Sequence, residues 1–331
     1  MKKYKICKIL LVILAIFLCV AFYELLGICV AYKKQPEVSN TTKKETKNGS
    51  WNECSENTER AVIIEKNPEA LLQRVRLIKN AKKEIILSTF AFQSDESGKL
   101  ILGALHDAAD RGVHIRLLVD GMESWIDMEG NPYFYGLSSH ENVEIKLYNK
   151  ANPLKPWKMM GRMHDKYLIA DGKRYILGGR NTYNYFLGDF PGHKNYDRDV
   201  LVVCDEPEKE NSVNQLLEYF ETIWEQEDSD YFHDNKKLAN RKSVKNAVLE
   251  LQNGYQKYFE ENKERICDTD YTDETFETEK IALVSNPIHT GSKEPVVWYQ
   301  LGELMKNAKN RVKIHTPYII CNDMMYNTWE E

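Results

Sequence analysis

Two short apolar runs, EIILSTFAF (84–92) and VHIRLLVDG (113–121), are separated by SGKLILGALHDAADRG (97–112), whose apolar residues recur at helical spacing. Strands joined through a helix cannot close as a hairpin, and the crossover lays them side by side in parallel. The segment before them, PEALLQRVRLIKNAKK (68–83), has the same helical period, and VEIKLYN (143–149) and RDVLVVCD (198–205) read as further strands. The expected fold is α/β, a mixed, mostly parallel sheet flanked by helices, with any ligand at the carboxyl ends of the strands. Residues 211–258 turn helical and charged, and NQLLEYFETIWEQ (214–226) is their clearest amphipathic stretch.

Ahead of this pattern, Lys2, Lys3, Lys5 and Lys8 precede ILLVILAIFLCVAFYELLGICVAY (9–32), which only Glu24 interrupts with a charge. That length and composition predict a single transmembrane helix, and the stretch is long for the apolar region of a signal peptide. Lysines on the far side (Lys33, Lys34, Lys43, Lys44, Lys47) nearly balance the leading ones, so the side of the membrane is left open. Residues 33–60 are polar and read as a tether.

The formal net charge of −5 supplies no global basic field for nucleic acid, and none is expected as a partner. Seven cysteines, three of them in the apolar N-terminal stretch, show neither CxxC nor His-paired spacing, so no metal and no cofactor is expected.

LIKNAKKEIILSTFAF (77–92) aligns without a gap with LMKNAKNRVKIHTPYI (304–319), at six identical positions of sixteen. A duplication at that offset makes 61–280 a first domain and 281–331 the start of a second, incomplete one. The counterpart of a residue at 164 would fall near 391, that is 164 plus the offset 304 − 77.

The hairpin-like stretch MHDKYLIADGKRYILGGRN (163–181) carries His-x-Lys-x4-Asp-x6-Gly-Gly-x-Asn. Alternation places His164 and Lys166 on one face of a strand, and Asp171-Gly172 is the turn signal. This pattern closely resembles the HKD motif of the phospholipase D superfamily, and GGRN followed by YF looks most like the bacterial cardiolipin synthase branch. KNRVKIHTPYI (309–319) resembles the strand that opens the second half of such enzymes. Members of that branch commonly carry an acidic residue soon after the motif's Asn; here the stretch reads NTYNYF, and Asn184 stands near where a carboxylate would orient the histidine.

The residues suit phosphodiester chemistry in their own right. The His164 imidazole can attack phosphorus, Lys166 and the Asn181 amide can stabilise the phosphoryl charge, and Gly178 and Gly179 permit close approach of the phosphate. Asp171 either orients a donor or fixes the turn, and Arg180 reads as an outward-facing residue. The resemblance implies a second motif whose histidine protonates the leaving alcohol, supplied by a missing half or by a homodimer partner, because neither His289 nor His315 is followed by the required lysine. It also implies a membrane-bound phosphatidyltransferase acting on phospholipid, phosphatidylglycerol foremost. A phospholipase D-type hydrolase, a single-motif nuclease working as a homodimer, and a non-catalytic tethered binding protein are the alternatives.

Overall fold

The computed structural model describes residues 2–49, 59–204, 211–233, 235–316 and 320–330. Cys54, the end of the polar segment (50–58), Asp205 and residues 317–319 of the repeat lie outside them. The chain divides into two compact units, one formed by residues 1–54, 155–160 and 282–331, the other by 55–154 and 161–281.

The first unit begins with helix α1 (Lys2–Ala31). Its segment Ile6–Ala31 has mean hydropathy 2.9 and is long and apolar enough to cross a membrane. The segment read as a tether contains helix α2 (Asn40–Lys47), started by the Ser39 hydroxyl, which accepts the Thr42 N–H at 3.1 Å. A capping serine ahead of Lys43, Lys44 and Glu45 is a local signal that a compositional reading overlooks.

In the second unit, chain order runs β1 (Glu59–Ile64), α3 (Asn67–Asn80), β2 (Glu84–Thr89), α4 (Glu96–Asp110), β3 (His114–Asp120), α5 (Gly121–Asp127), α6 (Pro132–Ser138) and β4 (Val143–Tyr148). It continues through β5 (Tyr167–Ala170), β6 (Arg174–Gly178), β7 (Asp199–Cys204), α7 (Ser212–Trp224), β8 (Ser229–Tyr231), α8 (Lys242–Glu261), α9 (Lys263–Cys267) and β9 (Phe276–Glu277). All nine strands join one sheet in the order β8-β4-β3-β2-β5-β6-β7-β1-β9.

The sheet is mixed, as expected, but it is not mostly parallel. Among the described strands, β2–β3 and β3–β4 pair in parallel and the six other pairings are antiparallel. Among the described strands, helical crossovers join sheet neighbours only within β2, β3 and β4; α3 and α7 cross several strands, from β1 to β2 and from β7 to β8, and the successive strands β5, β6 and β7 reverse direction. Strand faces alternate accordingly. Ile115, Leu117 and Val119 of β3 enter the main core with α3, α4 and α8, and Arg116 points the other way, where it pairs with Glu221 of α7 and lies 4.8 Å from the Phe220 ring.

Register brings one end of the sheet together. Ser88 near the carboxyl end of β2 pairs with Tyr167 at the start of β5, Tyr167 with Leu177, and Gly178 with Asp199. The segments before β5, after β6 and before β7 therefore all emerge beside the carboxyl ends of the parallel strands.

Residues 282–331 hold α10 (Val296–Lys306) and α11 (Asp323–Glu330). In the repeat, α10 corresponds to the end of α3: Asn80 is the last residue of α3, and its counterpart Asn307 caps α10. The counterpart of β2, at 311–316, is not a strand. A strand needs a hydrogen-bonding neighbour, and no strand among the described residues pairs with it.

Candidate active site

Met163, His164, Asp165 and Lys166 precede β5, whose ladder starts only at Tyr167. The expected arrangement of His164 and Lys166 as neighbours on a strand face is replaced by a tighter one. Lys166 is the last residue tied to β6, its carbonyl accepting the Gly178 N–H at 3.1 Å, and its buried side chain curls back so that Nζ donates to the His164 carbonyl. His164 stays accessible to solvent on one side and sets its ring at 63° to that of Phe90, centroids 4.7 Å apart. The same Phe90 ring lies 5.2 Å from Lys166 Nζ and 5.0 Å from the Arg162 guanidinium.

Partial desolvation, then the charge of Lys166, hold the His164 imidazole below its usual pKa of 6.5, so it is the neutral, nucleophilic form that stands at the site near neutrality. Burial brings Lys166 down to about 8, against the opposing charges of Asp165, Asp197 and Asp120.

Asn181 is also buried at this end of the sheet. Its carboxamide oxygen accepts the Ala91 N–H at 3.2 Å, which turns the amino group toward donor duty, shared with the Tyr183 hydroxyl. Three of the proposed residues thus lie at one end of the sheet: His164 exposed, Lys166 buried with its Nζ on the His164 carbonyl, and Asn181 buried with its amide oxygen on the Ala91 N–H.

The other candidates have different roles. Asp171 sits at the opposite end of β5, a strand roughly 13 Å long, and its carboxylate accepts the backbone N–H groups of Lys82, Lys83 and Glu84 at 2.7–3.1 Å. It holds the β5–β6 turn, with φ of 54°, to the start of β2, and orients no donor at His164. Asp171→Ala is expected to destabilise the chain by about 1–3 kcal/mol and to leave turnover per folded molecule unchanged, as urea unfolding and an active-fraction assay would show.

Gly178 and Gly179 make room for carboxylates rather than for phosphate. A Cβ on Gly178 would come within 2.1 Å of Asp199 Oδ1, and one on Gly179 within 2.0 Å of Asp197 Oδ2. Arg180 faces inward and is fully buried, donating to Asn67, Ile64 and Glu65 and to the Asp197 carbonyl, and pairing with Asp199 at 3.2 Å. Asp199 pairs in turn with buried Arg74 at 2.9 Å. Asn184 does not stand in for a histidine-orienting carboxylate; it caps α4, accepting the Ser97 N–H at 2.8 Å and donating to Glu96.

Four residues of the site escaped the motif: Phe90, Asp120, Arg162 and Asp197. Asp197 lies against Gly179, and its charge acts on Lys166. Asp197 is an acidic residue after the motif's Asn, sixteen residues further on (197 − 181), and it acts on Lys166. Its signal is the YDRD sequence just ahead of β7, which becomes readable only once β7 is paired with β6.

An exposed histidine, a buried lysine and a buried amide thus stand at the carboxyl edge of a mixed sheet. Residues 74–224 match the family model described as the cardiolipin synthase, PLD-like domain, and this segment of the chain is similar to the phospholipase D superfamily. Cardiolipin synthase C of Escherichia coli is 29% identical over 171 residues, covering 47% of this chain and 34% of that protein. An uncharacterised Helicobacter pylori protein (strain J99) is 30% identical over 212 residues, covering 60% of this chain and 39% of its own length, so the chain spans well under half of either relative. Among solved structures, phosphatidylserine synthase of Haemophilus influenzae aligns at 16% identity and TM-score 0.46, over 66% of this chain and 48% of that one.

Proposed function

We propose that the chain is a membrane-anchored phosphatidyltransferase of cardiolipin synthase type that works through a phosphohistidine. The observation that carries this reading is the exposed His164, its carbonyl bound by the buried Lys166 Nζ, within a segment that matches a cardiolipin synthase family model. The apolar helix α1 supports a location at the lipid surface.

An imidazole nitrogen of His164 attacks phosphorus of phosphatidylglycerol. The P–N bond forms as the P–O bond to the headgroup glycerol breaks, and the departing alkoxide takes a proton from a general acid. Lys166 and the Asn181 amide bind the phosphoryl oxygens, whose charge is held most tightly in the transition state. A hydroxyl of a second phosphatidylglycerol then gives up its proton and attacks the same phosphorus, the P–N bond breaks, and cardiolipin leaves with His164 restored. Residues 1–331 hold one His-x-Lys pattern of this kind, so a second copy of the motif supplies the acid and base.

Phosphatidylglycerol with a labelled headgroup, presented in vesicles to membranes carrying the chain, tests the reading. Free labelled glycerol together with cardiolipin is the expected outcome. Phosphatidic acid as the main product would make the chain a hydrolase, and cleavage of DNA with untouched lipid would make it a nuclease. The pH profile follows from the same groups. Log kcat/KM should rise as His164 loses its proton, below the usual imidazole range, and fall as Lys166 deprotonates at about 8. Initial rates from about pH 5 to about pH 10 would show it, and a Lys166→Arg variant should move the alkaline limb upward because a guanidinium stays charged.

A further inference from the structure

His164 lies outside the sheet ladder, and the residue that fixes it comes from another strand. Asp120, the last residue of β3, is buried and gathers the segment 162–163 onto its carboxylate. It accepts the Met163 N–H at 3.0 Å and Arg162 Nε at 2.9 and 3.0 Å, with Arg162 Nη2 at 2.7 Å. Its Oδ1 alone caps α5, accepting the Met122 and Glu123 N–H groups at 3.0 and 3.3 Å.

Asp120 itself has no freedom to drift. Strand β3 passes directly into α5 at Gly121, where a Cβ would come within 2.6 Å of the Lys150 amide nitrogen and 2.7 Å of the Tyr148 carbonyl oxygen. Only glycine lets the β3–α5 junction press this closely on the end of β4. Arg162, held by Asp120 and by Glu123 at 3.1 Å, lies over the Phe90 ring against which His164 packs.

We propose that Asp120 is the positioning residue of the nucleophile: its carboxylate clamps the Met163 backbone and the Arg162 guanidinium, and thereby sets the His164 imidazole against Phe90. The inference rests on the reading of His164 as nucleophile for its effect on rate, and on geometry alone for its effect on the ring. The charged groups that act on His164 are Lys166 and Asp165 of its own segment, Arg162 two residues before it, and Asp120 from β3. Asp120 favours the imidazolium, so its neutralisation should carry the His164 titration further down.

The test uses the full chain in nanodiscs, with Asp120→Asn, Asp120→Glu and Arg162→Gln variants. The His164 Cε1–H resonance, assigned by its loss in His164→Ala, is titrated, and the rate of label transfer to the protein from phosphatidylglycerol is measured beside it. Asp120→Asn should slow adduct formation about 10²-fold, the scale of an ångström-sized misplacement, with KM within about twofold and the His164 titration moved down. Asp120→Glu, which keeps the charge, should return the titration toward that of the unaltered chain. A wild-type rate and an unmoved titration in Asp120→Asn would overturn the proposal. Should that variant unfold, Asp120→Glu and Arg162→Gln decide together, the first displacing the carboxylate that holds both grips and the second removing the guanidinium grip with the α5 cap in place: a slowed adduct in either supports the clamp, and a wild-type rate in both overturns it. A fully active His164→Ala chain would remove the nucleophile reading alone, and the titration would still judge whether Asp120 sets the ring.

Discussion

Replacing His164 by Ala is expected to lower phosphatidyl transfer at least about 10³-fold, since it removes the atom that forms the covalent intermediate rather than one of its helpers. Lys166 and Asn181 would still bind the phosphoryl group, so KM should change far less than kcat. The side chain is exposed on one side and its principal contact is the Phe90 edge, so the folded state should lose no more than about 1 kcal/mol. Initial rates and a thermal melt on the same preparation separate the two effects. A full melt with near-normal turnover would assign the chemistry to another residue.

Asp199→Ala should give the largest loss of stability. The carboxylate lies between Arg74 and Arg180, and all three side chains are buried. Its removal leaves two guanidinium groups out of water without their counter-charge, a change that typically costs about 3–5 kcal/mol from a total of about 5–15. The effect should reach the site as well, because Arg180 donates to the Asp197 carbonyl and Asp197 lies against Gly179. Urea unfolding of the variant checks the magnitude. Adding Arg74→Met and Arg180→Met to Asp199→Leu should recover much of the loss, since an apolar trio of similar volume carries no desolvated charge. A change below about 1 kcal/mol in Asp199→Ala would show that water reaches the cluster.

The parts of the fold with a strong local signal were legible in the sequence. The units β2–α4–β3 and β5–β6 have uninterrupted apolar periods and a clear Asp-Gly turn, and their elements form in the expected order, although β5 begins at Tyr167 and leaves His164 and Lys166 outside the strand that alternation placed them on. Strand β1 is different: ERAVII is short, follows a polar stretch, and exists by pairing with β7, Glu59 against Cys204, about 145 residues away (204 − 59). Strands β8 and β9 are two or three residues long and depend on an existing sheet edge in the same way. The site divides along similar lines. His164, Lys166 and Asn181 sit in one motif, where spacing reports chemistry. Phe90, Asp120 and Asp197 reach them only through strand register, which a local pattern does not contain, and Arg162, two residues before His164, falls just outside the spacing that the motif fixes. Arg180 and Asp171 show the converse hazard, because a motif position records that a residue is needed, and here both serve the framework: one binds a buried carboxylate, the other three backbone amides.

The central claim is that phosphorus is transferred to His164 and nowhere else. Membranes carrying the chain would be mixed briefly with phosphatidylglycerol labelled in its phosphate, quenched in alkaline detergent because a P–N bond is acid-labile, digested, and the peptides sequenced by mass spectrometry. The account predicts a phosphatidyl group on His164, discharged by added phosphatidylglycerol and absent from His164→Ala. Label on any other residue, or equal label on the His164→Ala chain, would contradict it.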